Sequence, residues 1–152
     1  MKKILLGLGV LVAIGAQSGL AAEHAVFTPG DIKWMAAPPS VPKGAEAVVL
    51  YGDPSKEGPF ALRLKMPANY TIPPHTHPKP EIVTIISGEL NLGSGPTVDK
   101  ANAKMLPAGS FFAMDPGMQH YVVTAQETVV QLNSFGPWAL NYVNEKDDPR
   151  KQ

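Results

Sequence analysis

Glycine and proline interrupt this chain so often that neither a long helix nor a long strand can run through it. The 152 residues include 14 glycines and 16 prolines, spread along the length. Proline fixes φ and has no N–H to give, and glycine weakens the interior of any element, so this spacing favours short strands joined by turns. Apolar residues make up 44% of the chain, enough to bury a core, and the length suits a single domain. Strand-like runs rich in β-branched and aromatic residues stand at 45–51, 60–66, 81–87, 89–92, 110–114, 121–124 and 128–135. Within one of them Phe60, Leu62, Leu64 and Met66 alternate with Ala61, Arg63 and Lys65, the pattern of a strand with one face on a core and the other in water. Gly52-Asp53-Pro54-Ser55, Gly93-Ser94-Gly95-Pro96, Pro107-Ala108-Gly109 and Asp115-Pro116-Gly117 supply turns between the runs. No run shows the 3.6-residue period of an amphipathic helix, so the expected fold is all-β, a sandwich or a barrel.

The ends read differently from the middle. Lys2-Lys3, an apolar run over 4–16 and then Gln17-Ser18-Gly19-Leu20-Ala21-Ala22 follow the order of a secretory signal peptide, expected over 1–22. The apolar run is too short for a span of about 20 residues, so no stable membrane anchor is expected and the protein should be periplasmic or secreted. The 23–44 stretch, with Pro29, Pro38, Pro39 and Pro42, reads as an extended N-terminal arm over the domain, with Trp34 to pin it. A barrel is expected over 45–143. The charged segment 144–152, which contains Pro149, reads as a flexible tail.

Charge and cysteine content close off several roles. Basic and acidic residues number 13 each and are scattered, with no basic stripe to follow a phosphate backbone, so nucleic acid is not an expected partner. Loss of 1–22 would remove Lys2 and Lys3 and no acid, leaving a charge near −2. No cysteine is present, which rules out disulfides and thiolate ligands and leaves imidazole and carboxylate for any metal chemistry.

Four histidines occur, and two sit together as His75-Thr76-His77, with Glu81 four residues on. In extended chain, positions 75 and 77 project to the same side with α-carbons about 6.5–7 Å apart, close enough for two imidazoles to share an ion. Position 81 has the same parity, and Pro78 and Pro80 favour a chain that stays extended between them. A buried carboxylate without a partner costs several kcal/mol, so burial of Glu81 would call for a cation.

Two stretches carry a family resemblance. His75-x-His77-x3-Glu81-x6-Gly88 resembles the first motif of the cupin superfamily, and Gly109-x5-Asp115-Pro116-Gly117-x2-His120 resembles the second, in the right order and about twenty residues apart. The chain is thus similar to small, single-domain, type-2-like cupins. That resemblance implies a double-stranded β-helix, or jelly-roll, barrel, and a metal held by His75, His77, Glu81 and His120. Asn69 stands where the first motif usually opens with Gly, but Asn also tolerates left-handed φ. In the second motif Asp115 stands where Pro is usual and Thr124 where Asn is usual; no ligand position is altered.

Three nitrogens and one oxygen suit one divalent transition metal, Fe, Mn, Ni, Co, Cu or Zn, rather than Ca²⁺. The resemblance implies a metal-dependent enzyme on a small organic molecule, with a dioxygenase foremost and Glu81 as a base. A noncatalytic metal- or ligand-binding barrel and a redox-neutral isomerase or lyase are the alternatives. Cupins often pair through strand exchange, which gives the arm a role in a homodimer. Gln131 and Asn133 face either the pocket or solvent. Phe112, Met114, Phe135, Trp138 and Tyr142 line a cavity or simply fill the core. Tyr121 should point away from His120, and His24 is left out of the site.

Overall fold

The computed structural model describes residues 25–152, so the expected signal peptide over 1–22 and His24 lie outside the described residues. Eleven strands follow one another: β1 (Met35–Ala36), β2 (Glu46–Tyr51), β3 (Gly58–Met66), β4 (Tyr70–Thr76), β5 (Glu81–Ser87), β6 (Glu89–Ser94), β7 (Lys104–Pro107), β8 (Phe111–Met114), β9 (His120–Thr124), β10 (Thr128–Gly136) and β11 (Asn141–Tyr142). They form two antiparallel sheets, ordered β1-β2-β3-β10-β5-β8 and β11-β4-β9-β6-β7. This is the jelly-roll arrangement of a cupin barrel, and the all-β expectation holds.

The alternation read in β3 sets one wall of the core: Phe60, Leu64 and Met66 are buried. Arg63 and Lys65 take the other face, where Lys65 pairs with Glu46 and its ammonium lies 4.8 Å from the Trp34 ring. Beside β3, β10 turns Val130 and Leu132 inward, in register with Leu64 and Leu62. That choice of face sends Gln131 and Asn133 outward, and Gln131 accepts a hydrogen bond from Arg63 Nε at 3.3 Å. Of the arm, β1 joins the sheet edge, pairing Met35 with Ala47, while Val41 enters the core and the Tyr142 hydroxyl donates to the Ser40 carbonyl at 2.7 Å.

Four strands were not among the expected runs: β1 and β11, of two residues each, and β7 and β4. β7 carries Lys104 and ends at Pro107, which hides it. β4 contains Pro73-Pro74, and proline within a run argues against a paired strand. The prolines fall where the β4–β9 register slips, between Ile72 and His75. Ahead of them Ile72 points into the core; after the irregularity the inward position passes to His75, directly opposite His120.

The chain enters β4 through Asn69, at φ 58°. Thr124 Oγ1, buried at the far end of β9, donates to the Pro67 carbonyl of the same turn at 2.7 Å. The last nine residues depart from the expected flexible tail. They form two 3-10 turns, Glu145–Asp147 and Pro149–Lys151, and Asp148 is buried. Arg150 grips Asp148 through two nitrogens, at 2.7 and 2.8 Å, and donates to the Leu140 carbonyl at 3.0 Å. A charged sequence read as flexible is ordered because its charges pair locally and reach back to the Leu140 carbonyl.

Left-handed φ costs an ordinary L-residue about 1–2 kcal/mol. Asn69→Val should therefore lower the urea-unfolding free energy by about that amount, while Asn69→Gly should leave it within about 0.5 kcal/mol. Equal losses from both would show that the turn does not depend on backbone freedom at this position.

Candidate metal centre

His75 and His120 reach each other across paired strands, His77 arrives from the short link between β4 and β5, and Glu81 is the first residue of β5. Only Pro78-Lys79-Pro80 separates the two, and the Gly117 N–H donates to the His77 carbonyl at 2.9 Å. That bond ties the Asp115-Pro116-Gly117 turn to the first histidine pair. All four side chains are buried, with exposures of 2% for His75, 4% for His77, 7% for Glu81 and 1% for His120. One nitrogen from each imidazole lies within 4.8 Å of the other two. Glu81 meets the group from one side, with Oε1 3.5 Å from His77 Nε2 and Oε2 3.0 Å from His120 Nε2. The expected histidines are thus gathered at one point with the carboxylate against two of them, and the three could hold a metal ion.

Backbone carbonyls fix which nitrogen each ring offers. His75 Nδ1 lies 2.7 Å from the Pro73 oxygen, His77 Nδ1 2.9 Å from that of Ala139, and His120 Nδ1 3.1 Å from that of Met118. A carbonyl can only accept, so each Nδ1 carries the proton and each neutral ring turns an Nε2 lone pair inward. This is the outer support that orients imidazole for a metal. His77 Nε2, His120 Nε2 and Glu81 Oε2 are buried without a hydrogen-bond partner. At 3.0 Å the last two are near enough to bond, yet in the neutral tautomer they face each other lone pair to lone pair. Only a proton, which would make His120 an imidazolium, or a cation relieves that opposition. The donor set fits a divalent transition metal.

The charges follow the same logic. Burial, reinforced by charge on His120 and His77, pushes the His75 imidazole down to about 3. Burial likewise holds His77 below its ordinary value. Burial alone would lower His120 and raise Glu81, but their mutual contact outweighs it, so His120 is raised and Glu81 lowered. Both directions favour a proton between His120 and Glu81 where no metal is bound, and a cation arriving there would displace it.

A cavity of about 280 Å³ opens onto His75, His77 and Glu81. Phe112 and Trp138 line it, whereas Met114 and Tyr142 do not, and Phe135 lies on the outer face at 52% exposure. Gln131 and Asn133 do not reach it either. Tyr121 points away, as its parity requires, with its hydroxyl donating to the Asp99 carbonyl at 2.7 Å. Two contributors carried no motif in the sequence: the Trp138 ring stacks on His77, centroids 4.0 Å apart and planes 16° from parallel, and the next residue, Ala139, orients the same histidine.

Comparison with known proteins agrees with the fold. Residues 22–141 match the family model described as "Domain of unknown function (DUF4437)". Germin-like protein 9-3 of Oryza sativa subsp. japonica is 31% identical over 87 residues, which are 56% of this chain and 40% of that protein. The chain thus spans well under two thirds of the length of that curated relative. Among solved structures, polyketide cyclase RemF from Streptomyces resistomycificus superposes with a TM-score of 0.69 at 18% identity, over 85% of this chain and 92% of that one. An RmlC-like cupin from Shewanella frigidimarina gives 0.57 at 16% identity, over 75% and 91%. At these identities the structures speak to the fold alone.

A histidine held neutral by the fold separates folded from unfolded protein in pH. The unfolded chain takes up this proton near pH 6.5, while folded His75 refuses it until about 3. The stability from this group is complete above the unfolded value and is lost as pH falls from about 6.5 toward 3. In metal-free protein the His75 Cε1–H resonance should hold its neutral position from pH 7 to about 4; a midpoint near 6.5 would show that the ring is not buried as described.

Proposed function

The chain belongs to the DUF4437 family, a cupin-type family, and from that premise we propose that it is an exported metal-dependent enzyme acting on a small organic molecule. The observation that carries this reading is the convergence of buried, unpartnered lone pairs from His77, His120 and Glu81, beside His75, at the wall of a cavity. One Fe, Mn, Ni, Co, Cu or Zn ion held by His75, His77, Glu81 and His120 would supply a Lewis acid and, where redox-active, a centre for dioxygen chemistry.

The chain's own groups divide the remaining work. Backbone acceptors at Pro73, Ala139 and Met118 keep the three rings in the tautomer that presents Nε2. Trp138 covers one face of His77 and keeps water from it. Glu81, on detaching from the metal, is the group positioned to take a proton from a bound molecule as a base. Apolar walls hold the substrate and exclude solvent.

Oxygen insertion is the first reaction proposed. Redox-neutral chemistry is the second, favoured by the likeness in fold to a protein described as a polyketide cyclase. A barrel that only binds metal or ligand is the noncatalytic alternative. We place the protein in the periplasm or outside the cell, on the leader sequence over 1–22. Among the described residues no helix is long and apolar enough to cross a membrane. Small molecules rather than nucleic acid are the proposed partners, and a homodimer through the arm is the proposed assembly.

Elemental analysis of the purified protein should find about one transition metal per chain, and His75→Ala and His120→Ala should lose it. Variants that keep the wild-type metal content would overturn the centre. Oxygen uptake with a turned-over substrate would support insertion, whereas product without uptake would move the reading to the redox-neutral class.

A further inference from the structure

The cavity's walls say more about its occupant than the metal centre does. Leu62, Leu64, Val130 and Leu132 face it from one sheet, and Ile72 and Val122 from the other. Among the described residues no lysine, arginine, asparagine, glutamine, aspartate, threonine or tyrosine lines it. Polar side chains are few among the described residues, and one of them is Trp138, whose indole N–H is a donor. His75, His77 and Glu81 stand together, while Ser40 and Ser55 are contributed by the arm and the β2–β3 turn; Ser55 Oγ is already engaged, donating to Asp53 Oδ1 at 2.7 Å. On β10, Gln131 and Asn133 lie on the opposite face of the strand, while Thr128 and Ser134, on the inward parity, donate to the Glu89 and Pro80 carbonyls and do not line the cavity.

Such a cavity cannot satisfy several polar groups on one guest. Every buried hydroxyl or charge without a partner weakens binding, and an apolar wall offers none. A volume of about 280 Å³ falls just below the range of roughly 300–1,000 Å³ for small-molecule pockets. We propose that the cavity takes a compact, mainly hydrocarbon molecule with a single oxygen-bearing end, such as an alcohol, phenol, enol or ketone, directed at His75, His77 and Glu81, and that it rejects polyols. This deepens the metal-dependent reading and rests on it for the role of the polar end. The hydrocarbon selectivity rests on the walls alone.

Cyclohexanol and myo-inositol share a six-carbon ring and differ in hydroxyl number, which makes them the probes. Isothermal titration of the purified protein, metal-free and zinc-loaded, should show cyclohexanol binding more tightly than myo-inositol by at least about 100-fold. Zinc should tighten cyclohexanol further. Leu132→Trp and Leu62→Trp, each filling the cavity from a different strand, should abolish cyclohexanol binding; retained zinc uptake shows that the variant has folded. Equal affinity for the two probes, or full cyclohexanol affinity in both zinc-binding variants, would overturn the inference. Protein that takes no zinc yet prefers cyclohexanol keeps the hydrocarbon selectivity and removes the metal reading. Protein that takes zinc and prefers myo-inositol does the reverse.

Discussion

Three backbone carbonyls decide what this barrel can do. Pro73, Ala139 and Met118 each accept the Nδ1 proton of a histidine, and in doing so turn three Nε2 lone pairs toward one another inside the barrel. Imidazole left free would rotate or change tautomer to suit its surroundings; held this way it cannot. The Glu81 carboxylate then completes a cluster of acceptors with no donor among them, and an interior of low dielectric makes that arrangement costly unless a cation or an added proton enters. Metal binding is the relief that uses all of these groups at once.

The fold serves this geometry at some local expense. A strand broken by Pro73-Pro74 shifts its inward parity by one residue, so Ile72 fills core while His75 faces His120 across the ladder. Proline fixes that irregularity where a residue with an N–H would be free to pair normally. The C-terminal segment closes the site from another direction: Trp138 packs on His77, Ala139 orients it, and Arg150 holds the neighbouring Leu140 carbonyl. The tail read as flexible is therefore bonded, through one residue, to the strap that supports a ligand.

Much of this could be read from the residues before any coordinates. Period-two alternation in β3 and the Gly and Pro punctuation pointed to the sheet architecture, and same-side parity paired positions 75 and 77. The expectation that the chain stays extended to Glu81 is corrected, because it bends at Pro78-Lys79 and crosses to the other sheet. His120 needed the second motif, because strand pairing across some forty residues leaves no local trace. Parity has a blind spot, shown by β10: it groups Gln131 with Asn133 but does not say which face looks inward, and Val130 and Leu132 took the core. β4 stayed hidden because its prolines violate strand propensity at the very place where the register slips. Trp138 and Ala139 act through a stacking contact and a main-chain oxygen, neither of which any sequence motif records.

Anomalous diffraction from crystals of the cobalt-loaded protein tests the central claim most directly. A single peak about 2.0–2.2 Å from Nε2 of His75, His77 and His120, with a Glu81 oxygen in the same shell, is the predicted result. A peak bound through Nδ1, one that omits His120, or none within the barrel would contradict it.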